Sequence, residues 1–314
     1  MTHILVNDGI HPDGQKMMED AGFTVSTTKI AQEDLLTKLQ DFDAICVRSA
    51  TKVRKDLIDA CPNLKVVARG GVGLDNIDVD YAKSKSIEVI NTPAASSEAV
   101  AELAFGHIFN LSRFLHASNR DMSSGDFKTL KKSYAKGSQL RGKTLGIIGL
   151  GRIGQETARI GVSLGMTVLP VDKMIDKATI NLRLGNGASD VSVDIATVEM
   201  DEMLANADYI SVHVPFSGGK ALIGKEEIAK VKKGAILVNT ARGGTYDEKA
   251  LLEGLESGQL GGVGLDVFEN EPNPLKDLLN HPRISVSPHI GAATSEAQRN
   301  IGIELAEKLI KHLG

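Results

Sequence analysis

The chain has 314 residues, 42% hydrophobic and 24% charged, with 36 Lys plus Arg against 40 Asp plus Glu. A net charge of −4 leaves no electrostatic footprint for nucleic acid or an anionic membrane, and the composition excludes a disordered chain. No apolar run approaches the roughly 18 residues of a membrane span, the N-terminal MTHILVNDGIHPDG lacks the basic and apolar regions of a secretory signal, and two cysteines, Cys46 and Cys61, form neither a disulfide framework nor a metal-ligand spacing.

Length alone suggests two domains of about 150 residues. The expected compartment is a reducing cytoplasm, with inert buried thiols and no metal.

In chain order, short runs rich in Val and Ile appear at 3–6, 44–47, 64–68 and 87–90, separated by amphipathic stretches such as 32–39 and 54–60. Short apolar strands alternating with helices predict a parallel sheet covered on both faces. Val100, Ala104, Ile108, Leu111 and Leu115 recur at helical spacing, predicting one long helix over 96–117. The polar stretch 123–142 shows no period. The strand rhythm restarts at 143–149 and continues at 166–172, 209–214, 235–240, 262–267 and 284–289, predicting a second α/β sheet. Residues 295–313 read as a final amphipathic helix, with Ser295 and Gln298 at capping-box spacing.

Gly149, Gly151 and Gly154 form G-L-G-R-I-G between the strand TLGIIG and a helical stretch. The first glycine permits a tight turn, the second lets the backbone approach a pyrophosphate, and the third allows close helix–strand packing. The next strand ends in Asp172, 21 residues after Gly151. A carboxylate there accepts from a ribose 2′-hydroxyl and repels a 2′-phosphate, which favours NAD over NADP. A ligand-free glycine turn and an S-adenosylmethionine site are the competing readings.

Three charged residues follow predicted strands, where open α/β sheets place their ligands. Arg242 offers a planar fork for a carboxylate. His289 can exchange a proton near neutrality. Glu271 would orient the imidazole. Singly, each could equally be a solvated surface charge.

The motifs GLGRIG, VDK, HVP (213–215), NTARGG (239–244), DVFENEP (266–272) and SPHIGAAT (287–294) occur in this order, and the chain resembles the D-isomer-specific 2-hydroxyacid dehydrogenase family over nearly its whole length. The resemblance implies an α/β fold of two doubly wound parallel-sheet domains. A Rossmann NAD-binding domain (93–289) would be inserted into a flavodoxin-like substrate domain (1–92 and 290–314), with Pro93 at the first crossing. It implies catalysis by Arg242, Glu271 and His289. It implies NAD contacts from Gly149, Gly151, Arg152, Ile153, Gly154, Asp172, His213, Val214, Pro215, Ala241, Asp266, His289, Gly291 and Ala292. In that family His213 shapes the nicotinamide-side loop and Asp266 contacts the nicotinamide amide.

RSATKV (48–53) and ARGGVGLDNID (68–78) are similar to the branch that oxidises D-3-phosphoglycerate, the opening step of serine biosynthesis. That similarity implies a phosphate near Arg48, Ser49 and Arg69. The substrate carboxylate would lie against Arg242 and the backbone of Gly70, Gly71 and Val72, an anion-binding concavity. It also implies a homodimer or homotetramer in which Lys131 or Lys132 reaches a neighbouring site, although 126–136 aligns poorly with the branch's basic segment. Two alternatives stay open: another D-2-hydroxyacid dehydrogenase of hydroxypyruvate, glyoxylate or lactate type, and an NAD-sensing corepressor-like binding protein. The end at Gly314 predicts no serine-sensing regulatory domain. The long stretch 173–207 has no assigned role.

Overall fold

The structure is a computed structural model that describes residues 2–182, 191–216 and 218–314. The chain divides into two compact units, Met1–Ala99 with Ala292–Gly314, and Val100–Gly291. The first boundary lies within the helix Ser97–Ser112 rather than at 92/93. Among the described residues, no helix is long and apolar enough to cross a membrane.

The discontinuous unit is built on β1 (His3–Val6), β2 (Thr24–Ser26), β3 (Ala44–Val47), β4 (Val66–Arg69) and β5 (Glu88–Asn91). They form one parallel sheet in the order β2-β1-β3-β4-β5. This is the flavodoxin-like order, with its switch point between β1 and β3. All four residues of β3 are buried because both faces are covered. Leu35, Leu57 and Ile58 pack in the cluster with Ile45 and Val47, and Met18, Leu305 and Leu309 in the cluster with Ala44 and Cys46. Strand β2 is absent from the sequence reading because its three half-exposed residues, TVS, carry no apolar run. The final helix, Ser295–Leu313, is capped by Thr294, whose side chain accepts from the Ala297 N–H. The expected capping box does not form: Gln298 Nε2 donates instead to the Ala292 carbonyl.

The second unit contains β6 (Thr144–Ile148), β7 (Thr167–Val171), β8 (Lys177–Leu182), β9 (Val191–Ala196), β10 (Tyr209–Val212), β11 (Ala235–Asn239), β12 (Leu260–Leu265) and β13 (Ile284–Val286). Six of these form a parallel sheet in the order β13-β12-β11-β10-β6-β7. Chain order reverses between β6 and β10, the doubly wound Rossmann pattern with a ligand crevice at the reversal. The long helix expected over 96–117 is broken. Ser97–Ser112 and Leu115–Asp121 are separate helices, because Phe114 takes a left-handed conformation at φ 56°. The stretch read as aperiodic holds the helix Phe127–Ser133, capped by Asp126.

The unassigned stretch after Asp172 contributes an antiparallel pair, β8 with β9. Ile180 and Ile195 point inward and join a cluster with Leu145 and Ile147, while alternate residues face out. Residues 183–190 of that stretch lie outside the described residues. Ile180 is 1% exposed, so Ile180→Ala should lower unfolding free energy by about 2–5 kcal/mol. Thr179→Ala, on the exposed side, should cost under about 0.5 kcal/mol. Urea denaturation of both variants checks this.

Candidate active site

Because the six-stranded sheet is parallel throughout, every strand delivers its following loop to the same edge. In strand order that edge carries His289 after β13, Asp266 and Glu271 after β12, Arg242 after β11, His213–Pro215 after β10, Gly149–Gly154 after β6 and Asp172 after β7. Residues spread over more than a hundred positions of sequence are thereby brought to one edge.

Glu271 Oε2 lies 2.9 Å from His289 Nδ1, and its other oxygen accepts from the Phe268 N–H at 3.0 Å. A carboxylate only accepts, so we assign the His289 proton to Nδ1, which leaves Nε2 as an acceptor. Both side chains are open to solvent, at 49% for His289 and 38% for Glu271. His289 itself sits at φ 55°, a left-handed conformation costly for a residue with a Cβ.

Two features brace the Glu271 loop. Glu248 Oε1 accepts from the Glu269 N–H, and Glu269 Oε1 accepts from the Glu248 N–H, at 2.8 and 3.1 Å. Glu248 is buried, and burial pushes its carboxyl pKa up. Gly243 lets the NTARGG turn close on this loop: a Cβ there would lie 1.8 Å from the Phe268 carbonyl oxygen. The turn is held by buried Asn239, whose Oδ1 accepts from the Ala241 N–H and whose Nδ2 donates to the Arg242 carbonyl. Arg242 is half-buried, with Nη1 donating to the Ala241 carbonyl at 2.6 Å. The sequence reading missed Asn239, Glu248 and Glu269; Asn239 and Glu269 lay within quoted motifs, whereas nothing local marked Glu248 as the partner of Glu269.

The glycine turn has the shape its motif requires. Gly149 is at φ 97°, a Cβ on Gly154 would fall 1.9 Å from the Gly149 oxygen, and a Cβ on Gly151 would meet nothing within 4 Å. Gly151 is the N-cap of the helix Arg152–Ser163 and brings no side chain to bond that helix's first N–H groups. Asp172 Oδ2 accepts from the Leu150 N–H at 2.6 Å, and Oδ1 from those of Met174 and Ile175. The carboxylate therefore ties β7 to the glycine turn. The His213 ring is turned inward, with Nε2 3.0 Å from Thr157 Oγ1 and 2.9 Å from Ser211 Oγ. Burial pushes its pKa down to about 3, so it is neutral near pH 7 and performs no acid–base chemistry there.

In the discontinuous unit, Asp8 fixes the turn after β3. Its Oδ2 accepts from the N–H groups of Arg48 and Thr51, and its Oδ1 from the Thr51 hydroxyl. Asn76 Nδ2 donates to the carbonyls of Arg48 and Thr51, and its Oδ1 accepts from Arg69 Nε. The Arg48 guanidinium, half-buried at the β1/β3 switch point, has no hydrogen bond or ion pair among the described residues. Ser49 beside it is exposed. The concavity expected at Gly70–Val72 needs correction. The Gly70 N–H donates to the Val47 carbonyl and that of Gly71 to Thr92 Oγ1, so two of the three amides are spent inside the fold. Lys131 and Lys132 are exposed in the last turn of Phe127–Ser133. Cys46 and Cys61 are buried, and burial pushes their thiols up to about 12 and about 11, which makes them inert.

The sequence profile of the D-isomer specific 2-hydroxyacid dehydrogenase NAD-binding domain matches residues 105–291. The chain belongs to the D-isomer specific 2-hydroxyacid dehydrogenase family. It is 41% identical to a hydroxypyruvate reductase of Thermotoga maritima, over 98% of this chain and 97% of that protein. It is also 41% identical to a D-3-phosphoglycerate dehydrogenase of Methanocaldococcus jannaschii, covering all of this chain but 58% of that protein. The chain thus spans little more than half the length of the latter relative. The crystal structure of the TT0316 protein from Thermus thermophilus superposes with a TM-score of 0.83 at 27% identity, covering 99% of this chain and 97% of that one. NAD is the cofactor of this family's domain, and the residues fit it. A Cβ on Gly151 would meet nothing within 4 Å, Gly151 is the N-cap of a helix whose N-terminus favours an anion, and a carboxylate follows β7.

Gly154→Ala should abolish NADH binding, because the added methyl has no room against the Gly149 carbonyl; NADH fluorescence titration checks it. For His213 the sign follows from a depressed folded-state pKa. Below the unfolded value of 6.5 the unfolded chain binds the extra proton, so stability falls with falling pH until about 3. His213→Asn should flatten the dependence of Tm on pH over that window, measured by scanning calorimetry.

Proposed function

We propose that the protein oxidises D-3-phosphoglycerate to 3-phosphohydroxypyruvate. The observation that carries the phosphate assignment is Arg48, a half-buried guanidinium whose backbone is pinned by Asp8 and Asn76 while its side chain has no partner among the described residues. A planar fork without an internal partner suits a phosphate dianion; an unphosphorylated acid with its carboxylate on Arg242 would offer it only a hydroxyl. Arg69, held toward Asn76, supplies a second cation beside it. Arg242 binds the substrate carboxylate. His289 Nε2 removes the C2 hydroxyl proton. Glu271 holds the ring in the required tautomer and stabilises the imidazolium that forms. NAD⁺ bound at the glycine turn supplies the acceptor for the C2 hydride. The Asp172 oxygens have lone pairs beyond those taken by backbone amides, and these would hold the ribose hydroxyls of NAD. Two inert thiols suit a reducing cytoplasm.

A second reading, hydroxypyruvate reduction, is favoured by the Thermotoga maritima relative, which matches this chain over 97% of its own length. The two separate in one assay of NADH formation with D-3-phosphoglycerate and with D-glycerate. The phosphate reading expects a large preference for the phosphorylated acid, and Arg48→Gln should reduce it by about 10- to 100-fold in kcat/KM while sparing D-glycerate. Equal use of both acids, or an unmoved ratio in Arg48→Gln, removes the phosphate assignment. His289→Asn should lower kcat by at least about 100-fold, and Arg242→Lys should impair kcat/KM despite its retained charge. Turnover persisting in His289→Asn would remove that residue from proton transfer.

A further inference from the structure

Behind the His289 loop runs a chain of hydrogen bonds with one direction, its members buried or half-buried. Asp266 is 1% exposed. Its Oδ1 accepts from Ser287 Oγ at 2.6 Å and from the Ile290 N–H at 2.8 Å, and its Oδ2 from the Gly291 N–H at 2.8 Å. Its carbonyl accepts from the His289 N–H at 2.8 Å. These bonds surround the one left-handed residue of the loop. The Ser287 proton is committed to the carboxylate, so its oxygen accepts from His107 Nε2, 3.0 Å away. His107 Nδ1 is then the acceptor for Ser285 Oγ at 2.8 Å, and Ser285 in turn accepts from Asn110 Nδ2 at 2.7 Å. The Asn110 amide cannot be flipped, because its Oδ1 takes the His116 N–H at 2.7 Å.

Each link fixes the proton position of the next, and the chain ends on the carboxylate that shapes the catalytic turn. His107 is 4% exposed, on the helix Ser97–Ser112. It reaches β12 and β13 because Gly264 leaves room: a Cβ there would lie 2.7 Å from the His107 Cβ. Burial lowers its pKa against the opposing pull of Asp266, consistent with a neutral ring.

We propose that His107 is a positioning residue, which as the neutral Nε2–H tautomer directs Ser287 onto Asp266 and so fixes the left-handed turn that presents His289. The kinetic part of this inference rests on the catalytic reading of His289; the structural part does not. The test therefore uses two readouts on the full-length protein. The first is the amide proton shifts of Ile290 and Gly291, which bonding to a carboxylate moves downfield. The second is kcat against KM.

His107→Leu should move both amide signals upfield and lower kcat by about 10- to 100-fold with little change in the KM for NAD⁺, as expected for a displaced reacting group. His107→Gln places an N–H donor near the Nε2 position and should restore both readouts. Ser287→Ala cuts the chain with His107 in place and should match His107→Leu, which keeps the test usable should the Leu variant not fold. Amide signals unmoved in folded Ser287→Ala or His107→Leu would overturn the proposal whatever the kinetics show. A loss of Tm with unchanged amides and kcat would also overturn it, reducing His107 to a core contact. An activity that survives His289→Asn would count against the catalytic reading alone, because the amide shifts decide the positioning role independently.

Discussion

The Asp266 carboxylate is the constraint on which the reactive end of this sheet depends. It lies at the end of β12, buried, and gathers the backbone of the segment that follows β13. Placing a charge there is costly unless its lone pairs are taken, and two amides and a hydroxyl take them. In return the loop acquires a backbone shape that histidine would not choose unaided. The side chain of His289 then projects outward to Glu271, which is itself tied to the backbone of its own loop. An exposed His–Glu pair is thus mounted on a buried, hydrogen-bonded carboxylate.

The glycine turn uses the opposite device. There order comes from the absence of side chains: Gly154 lets the helix that follows β6 press against the Gly149 carbonyl, and Gly243 lets the Arg242 turn press against the Glu271 loop. At these places backbone approaches backbone directly, and one carboxylate, Asp172, ties the glycine turn to the neighbouring strand.

The sequence made the strands and the charged residues at their ends legible because both leave local marks. Buried parallel strands read as short unbroken apolar runs, and strand ends carry the charged motifs. The six-strand edge bearing Arg242, Glu271 and His289 could therefore be anticipated, as could the Gly149–Gly154 turn. The elements without such marks were hidden. Strand β2 is short and half-exposed, and the β8–β9 pair alternates weakly within a polar stretch. The break at Phe114 occurs inside an uninterrupted helical pattern, because a left-handed Phe carries no signature of its own. The supports of the site were hidden for a different reason. Glu248 with Glu269, and His107 with Ser287, meet across long separations, and a single sequence does not show which polar residues will be neighbours. The amides of Gly70 and Gly71 looked available because their motif is glycine-rich; tertiary structure turned them inward, toward Val47 and Thr92.

The order β13-β12-β11-β10-β6-β7 has an evolutionary corollary. Neighbouring strands lie about 4.8 Å apart, so under the proposed function the tasks are set out along the edge like keys on a keyboard: proton transfer at one end, carboxylate recognition next, then the glycine turn, and ribose contact at the other end. Each task hangs on its own loop, and each loop is anchored separately. One loop can be lengthened or reworded, and the connection after β7 is long enough to carry the antiparallel β8–β9 pair, while the others keep their positions. The scaffold can therefore change its cofactor or its substrate preference one strand end at a time.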